Sequence, residues 1–311
     1  ITCRDWSSDV CSSDLPEGTG KILVMRVPEG KHKPYGTAAG LYKQRVGKNC
    51  MALDPVVFQR AQISSAAVDW SGAPAVGLGL QDLDPLQIER ARQILRSKVP
   101  SSGLLELSEI EFLQGLEAVR DGRVTHAGML LFARREVLAR HCPQAQFHYV
   151  FHDSETTVAR NDIDRLPLLE VVERMEHVFV GPLNPEREIE LGLFKLRIPQ
   201  FPIEGVREAV LNALTHRDYQ NPGEILLRHS AKELVVTSPG GFVDGITPDN
   251  ILRHEAVPRN RTLANALVKL RLVESSGIGR KRIFRSALVY GKRRPERSEE
   301  HTSELQSRQV I

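Results

Sequence analysis

Cysteine is scarce in this chain of 311 residues, which has four. Cys3 and Cys11 lie in the first fifteen residues, and the other two, Cys50 and Cys142, have no metal-type spacing. Nothing here builds a disulfide framework. No apolar run approaches the ~20 residues needed to span a bilayer, so no membrane partner is expected. No secretory leader is visible, and a reducing bacterial cytoplasm is the expected compartment. A Gly-x-x-x-x-Gly-Lys-Ser/Thr phosphate loop is also missing, which excludes a motor built on that loop. Internal repeats and low-complexity runs are absent as well.

The two ends look unrelated as protein but not as DNA. Ser12-Ser13-Asp14-Leu15 can be written TCT TCC GAT CT, whose reverse complement AGATCGGAAGA opens Arg-Ser-Glu-Glu, the residues at 297–300. An inverted repeat of this kind resembles read-through of a sequencing adaptor. Residues 1–15 and 297–311 are therefore expected to be adaptor-derived. The informative chain is expected to run from about Pro16 to Glu296 and to be cut at both ends. The whole chain carries a formal charge of +3. The ends hold more acidic than basic residues, so the basic excess grows without them. That mild balance suits nucleic acid without establishing it.

Along the interior, 21–27 reads as a buried strand and 41–46 as a second strand after a flexible turn. Residues 54–63 look helical, and 72–79, with Pro74 inside, reads as a linker and boundary. Asp84-Pro85 starts a helix to Lys98, with Asp84 as cap and Pro85 at the first helical position. Ser108-Glu-Ile-Glu111 fits a capping box at the next helix, and 125–133 gives a third. Residues 145–151 read as a strand and 166–180 as a helix with apolar Leu169, Val172, Met175 and Phe179. Residues 188–198 read as one long strand. His126, His141, His148 and His152 are scattered and are expected to be structural or exposed.

Residues 202–216 form the most informative helix. Val206, Val210 and Leu214 make one stripe at i, i+4 spacing, the face that should meet a core. Glu208, Asn212 and His216 make a second stripe at the same spacing. Packing alone does not need a carboxylate, a carboxamide and an imidazole on one edge. Such an edge could hold a metal-bound phosphate: Asn offers Mg²⁺ a neutral oxygen, and Glu can take a proton from an attacking water. Antiparallel strands follow at 223–228 and 233–237. The second runs into Ser238-Pro-Gly240-Gly241-Phe242, a turn that lets backbone approach a ligand closely. Gly277-Ile-Gly279 makes a second glycine turn before a basic helix, whose first amides can receive phosphate. Each signal is weak alone, and a mid-helix Glu or a Gly-Gly pair is usually just surface or turn. Their order carries the argument.

That order resembles the GHKL nucleotide-binding fold of gyrase, heat-shock chaperones, histidine kinases and MutL. Glu208-x-x-x-Asn212 matches its N box, Ser238-Pro-Gly240 its adenine-side glycine box, and Gly277-x-Gly279 its phosphate-side box. A closer resemblance, over about 80–290, is to proteins with a RecG-like C-terminal domain. It rests on 207–219 (REAVLNALTHRDY), Ser238-Pro-Gly-Gly-Phe242, Gly245-Ile-Thr247, Pro258-Arg259-Asn260 and Val273-Glu-x-x-Gly-x-Gly279. A Schlafen AlbA-type DNA-binding domain commonly comes first in that family, and 27–35 with 42–47 look like its last strands. One departure bears on adenine: the box normally opens with Asp and ends in a further Gly, where this chain has Ser238 and Phe242.

The resemblance implies an α/β (α+β) protein. Residues 16–71 are the end of the Schlafen AlbA-type domain, 80–200 a connecting α/β region, and 201–290 a GHKL-like ATP-binding sandwich. ATP and Mg²⁺ are the implied cofactors, with Asn212 on the metal and Glu208 the candidate base. His216, Asp218, Ser238, Gly240, Gly241, Arg259, Asn260, Gly277 and Gly279 are the remaining nucleotide-binding candidates. Lys31, Lys33, Tyr35, Tyr42, Arg45 and Lys48 interleave cations and aromatics, a pattern suited to DNA phosphates and base stacking; an ordinary solvated hairpin is the alternative. The basic run 280–294 has the same two readings. The expected function is an ATP-binding, DNA-binding transcription regulator. Two alternatives stay open: an ATP hydrolase of the RecG-like DNA helicase class, without motor activity, and a DNA-binding scaffold that takes no nucleotide. Assembly into a homo-oligomer is left open.

Overall fold

The computed structural model describes residues 41–46, 49–52, 69–241, 258–273, 296–301 and 305–310. The expected strand at 21–27 and helix at 54–63 lie outside them.

A short antiparallel hairpin, β1 (Lys43–Val46) and β2 (Asn49–Ala52), comes first. Three helices then start on caps supplied within three residues. Helix α1 (Pro85–Lys98) begins where the Asp84 carboxylate accepts from Leu86 N at 2.9 Å. Helix α2 (Glu109–Gly115) opens with a complete capping box between Ser108 and Glu111. A minimal hairpin, β3 (Val119–Arg120) and β4 (Arg123–Val124), leads to α3 (His126–Phe132), whose Thr125 hydroxyl accepts from Gly128 N at 3.1 Å. These satisfy amide groups that a helix start otherwise leaves unpaired. A further short helix, α4 (Arg135–His141), carries no such signal and is absent from the sequence reading.

Strand β5 (Phe147–His152) pairs antiparallel with β6 (Val158–Asp164), an edge strand. The charged Arg160, Asp162 and Asp164 along β6 suit an edge and hid it from an apolar pattern. Helix α5 (Leu168–Arg174) runs through a π-turn at Met175–Phe179 into α6 (Val180–Leu183), and Leu169, Val172, Met175 and Phe179 are buried as their spacing predicts. The expected long strand at 188–198 is instead a hairpin of β7 (Glu186–Leu191) and β8 (Phe194–Pro199). It turns at Gly192, whose φ of +62° is a conformation that glycine adopts without a side-chain clash.

Helix α7 (Ile203–His216) leads to β9 (Ile225–Ser230) and β10 (Leu234–Pro239), which pair antiparallel, while β9 lies parallel to β5. Helix α8 (Arg261–Lys269) follows. Strands β11 (Glu296–His301) and β12 (Leu305–Val310) fall almost wholly within the segment read as adaptor-derived, and β12 pairs with β10. The mixed sheet therefore runs β11-β12-β10-β9-β5-β6. The fold is of mixed α and β elements, as expected from the sequence.

One connected cluster of buried side chains extends from Ala75 to Leu270. It draws on α1, α3, α5, α7, α8 and, through Leu234 and Val236, one face of β10, every residue of which is buried. The segment 72–79, expected to be a linker, is held to this body. Ala75 N donates to Val124 O at 2.8 Å, His126 N to Ala73 O at 2.9 Å, and Ala75 is buried. Pro and Gly break regular structure there without loosening the chain.

Candidate functional site

Helix α7 separates its two stripes as the spacing predicts. Val206, Val210 and Leu214 are 0, 0 and 2% exposed. Glu208 on the polar edge is also buried, at 5%, whereas Asn212 and His216 are half-buried. A carboxylate costs free energy when it leaves water, so a buried Glu208 signals partners or a purpose beyond solubility. The Asn212 amide nitrogen is buried and has no hydrogen-bond partner. Buried polar atoms are nearly always paired, so this carboxamide is in the condition of a group whose partner is a ligand.

The far end of α7 is held by an unusual set of donors. A helix leaves its last carbonyls without intrahelical partners. Here the Ser238 hydroxyl donates to Ala213 O at 3.0 Å and the Tyr219 hydroxyl to Leu214 O at 2.9 Å. Asn260 Nδ2 donates to Thr215 O and Arg217 O, each at 2.8 Å, and Arg259 Nε to His216 O at 3.1 Å. Arg259 Nη2 reaches on to Gly241 O at 2.8 Å, and its Nη1 stands 4.0 Å from the Asp218 carboxylate. Ser238, Asp218, Arg259 and Asn260 are all buried. Four sequence-derived candidates thus meet in one junction, with side chains directed at backbone.

Gly240 closes the junction. Its φ is +94°, and a Cβ built on it would lie 2.9 Å from Asp218 Cβ and 3.3 Å from Arg259 Nη2. Both the conformation and the approach require glycine. Asp218 N donates to Pro239 O at 2.9 Å, which fixes the loop after α7 against the end of β10.

Below this loop lies a residue of the family motif to which the sequence alone gives no role. Arg217 is fully buried, and its Nη2 donates to Gln144 O, Gly223 O and Asn221 O at 2.5, 2.6 and 3.2 Å. Three neutral carbonyls replace the carboxylate that a buried guanidinium usually finds. No local pattern signals this. The nearby Cys142 thiol is pushed up to about 11 by burial, against the opposing pull of Arg217, and stays protonated at neutral pH.

The other sequence candidates are not gathered here. Tyr42 is exposed, and Arg45 lies on β1. Lys31, Lys33, Tyr35, Lys48, Gly277 and Gly279, and the basic run 280–294, lie outside the described residues. The histidines are dispersed: His126 stacks on Trp70, and His148 sits between Glu224 Oε1 at 2.7 Å and Asn161 Oδ1 at 2.6 Å. His229, which sequence reasoning passed over, is fully buried with Nδ1 2.8 Å from the Tyr149 hydroxyl. A separate cleft of about 510 Å³, lined by residues including Gln146, Arg165 and Glu224, contains none of the nucleotide-binding candidates. Among the described residues no helix is long and apolar enough to cross a membrane.

Residues 223–306 match the family described as "Putative ATP-dependent DNA helicase recG C-terminal". At that coarse level the RecG-like resemblance stands, and with it an ATPase-like domain. The match takes in β9, β10 and α8 but begins after α7. The edge of Glu208, Asn212 and His216 is therefore read from this chain's own geometry. Residues 59–148 match a domain of unknown function, DUF8451. No curated protein matches. The crystal structure of the DIP2311 protein from Corynebacterium diphtheriae is similar at 26% identity with a TM-score of 0.66, over 87% of this chain and 53% of that one. The chain thus spans about half the length of that protein.

Proposed function

We propose that this chain is the nucleotide-binding part of a DNA-binding regulator, with ATP and Mg²⁺ held along the polar edge of α7. The observation that carries the reading is the buried amide nitrogen of Asn212, a donor without a partner and so open to a phosphate oxygen, one helical turn from a buried Glu208. The match of the following residues to an ATPase-like family supports it. Asn212 offers its carboxamide oxygen to the metal. Gly240 and Gly241 bring backbone close to the ligand, and Gly277 and Gly279 are assigned the phosphate side. Bound Mg²⁺ would neutralise phosphate charge. Arg259, Asn260 and Ser238 hold the end of α7 in place, so their contribution is to the shape of the wall. The Asp218 side chain lies against the Gly240 turn, where the family's own Asp is replaced by Ser238.

Nucleotide occupancy would bias the regulator by favouring one conformer over another. The DNA-binding assignment rests on the cations and aromatics around β1 and on the family resemblance. Hydrolysis is a separate question, in which Glu208 would accept the proton of the attacking water. A second reading, a scaffold without nucleotide, is favoured by the way Ser238, Arg259 and Asn260 are consumed by backbone carbonyls. Calorimetry of ATP–Mg²⁺ on the chain, wild type beside Asn212→Ala, separates the two. Micromolar-range binding that weakens at least tenfold in the variant is expected. A folded wild type that gives no binding heat and no competition against a labelled nucleotide would leave only the scaffold.

A further inference from the structure

Helix α8 does not cap itself. Asn260 occupies its N-cap position, a residue type well suited to the task, yet its side chain makes no cap hydrogen bond and turns back to the carbonyls of α7. The cap comes from far away in sequence. Asp69 Oδ2 accepts from Thr262 N at 2.8 Å and from the Thr262 hydroxyl at 2.7 Å, and the Ser71 hydroxyl accepts from Leu263 N at 3.1 Å. The two cap residues are tied together, Ser71 N and Oγ donating to Asp69 Oδ1 at 3.1 and 2.6 Å. A carboxylate at a helix N-terminus is also favoured by the helix dipole. Burial works against the charged form of Asp69, but the hydrogen bonds from Ser71 and Thr262 together outweigh it and lower its pKa.

The residue between the two caps makes a second connection. The Trp70 ring stacks on His126, 4.1 Å away, and on Tyr219, 5.4 Å away. Tyr219 is the residue whose hydroxyl holds Leu214 O of α7. Three consecutive residues thus reach the end of α7 by two routes. One passes through Thr262 and Asn260, the other through Tyr219. The space is close-fitting, since a Cβ on Gly72 would lie 2.6 Å from the Thr262 hydroxyl.

We infer that Asp69, Trp70 and Ser71 form a strap of positioning residues that sets the end of α7, and so couples the start of α8 to the Glu208–Asn212–His216 edge. What that edge binds rests on the nucleotide reading; the mechanical link does not. Coupling of this kind is reciprocal in binding free energy. A ligand held on the α7 edge would therefore be bound more weakly when the strap is broken, and would in turn tighten the strap.

The nucleotide-independent test is hydrogen exchange on the whole chain without ligand. Asp69→Ala is expected to speed exchange at Thr262 and Leu263 and also at Arg217 and Asp218, whose amides bond to Ala213 O and Pro239 O. A rise confined to α8 overturns the proposal, whether or not ATP binds. The second test uses the scarcity of tryptophan, Trp6 and Trp70 being the two in the chain. In a Trp6→Phe background, ATP–Mg²⁺ that binds by calorimetry is expected to shift Trp70 emission with the same midpoint. Asp69→Ala should bind it about fivefold more weakly, and Asp69→Asn, which keeps one acceptor, should recover part of that loss. Calorimetric binding with silent Trp70 emission and unchanged affinity in folded Asp69→Ala overturns the coupling while leaving the nucleotide reading intact.

Discussion

The helix starts of α1, α2 and α3 and the α7–α8 junction solve the same problem by opposite means. At Asp84, Ser108 and Thr125 the cap lies within three residues of the amide it serves. At the junction the groups that satisfy helix ends come from Tyr219, Ser238, Arg259, Asn260, Asp69 and Ser71, the last two more than 190 residues from their partners. A local cap stabilises its own helix and informs nothing else. A cap supplied from a distance makes several segments share one geometry, so a change at one is felt at the others.

The contrast is sharpest at Asn260. Asn260→Ala leaves Thr215 O and Arg217 O buried without their side-chain donor, each worth roughly 1–3 kcal/mol, so a loss of about 4 kcal/mol in unfolding free energy is expected by urea titration. A loss below about 1 kcal/mol would mean that the junction is no stronger than a local cap.

Acid provides the next test without any substitution. His229 is enclosed by Phe151, Phe201 and Tyr149, and burial holds its pKa down to about 4. Below pH 6.5 the unfolded chain takes up a proton that folded His229 refuses until about pH 4. Stability should therefore fall as pH drops through that window, by about 3 kcal/mol in total, and this group adds nothing further below it. Denaturant melts between pH 7 and pH 4 should show the slope, and His229→Phe should flatten it. Burial also lowers the pKa of His126 beside Trp70, so its share of the slope remains in that variant.

The smallest effect belongs to the local caps. Asp84→Ala should cost about 1 kcal/mol by the same melts and leave any ATP–Mg²⁺ affinity unchanged. A change in affinity there would erase the distinction between the two regions.

This division also explains what the chain discloses in one dimension. The starts of α1, α2 and α3 and the two stripes of α7 follow from spacings of three and four residues, and the structure places them where those spacings say. Edge strand β6 is hard to read because its half-buried positions, Arg160, Asp162 and Asp164, are charged while Val158 and Ile163 are exposed, and the hairpin of β7 and β8 reads as one strand because Gly192 is its only interruption. Within the site, Glu208, Asn212 and His216 were legible as an edge. Ser238, Arg259 and Asn260 were legible as a motif, but their bonds to carbonyls of α7 were not, because backbone acceptors leave no mark on composition. The capping of Thr262 by Asp69 had no signal at all. The segment just after Asp69, 72–79, reads as a linker from its Gly and Pro content, and only its contacts show otherwise.

The strap has a kinetic meaning as well. The Asp69–Thr262 contact closes a loop of 193 residues, and such closure carries an entropy cost that nearer contacts must already have met. It is therefore expected to form late in folding, and its loss to register in stopped-flow traces as faster unfolding with refolding little changed. A ligand that tightens the junction would lengthen the lifetime of the folded state, and the same ligand leaving would be the moment at which the protein becomes vulnerable.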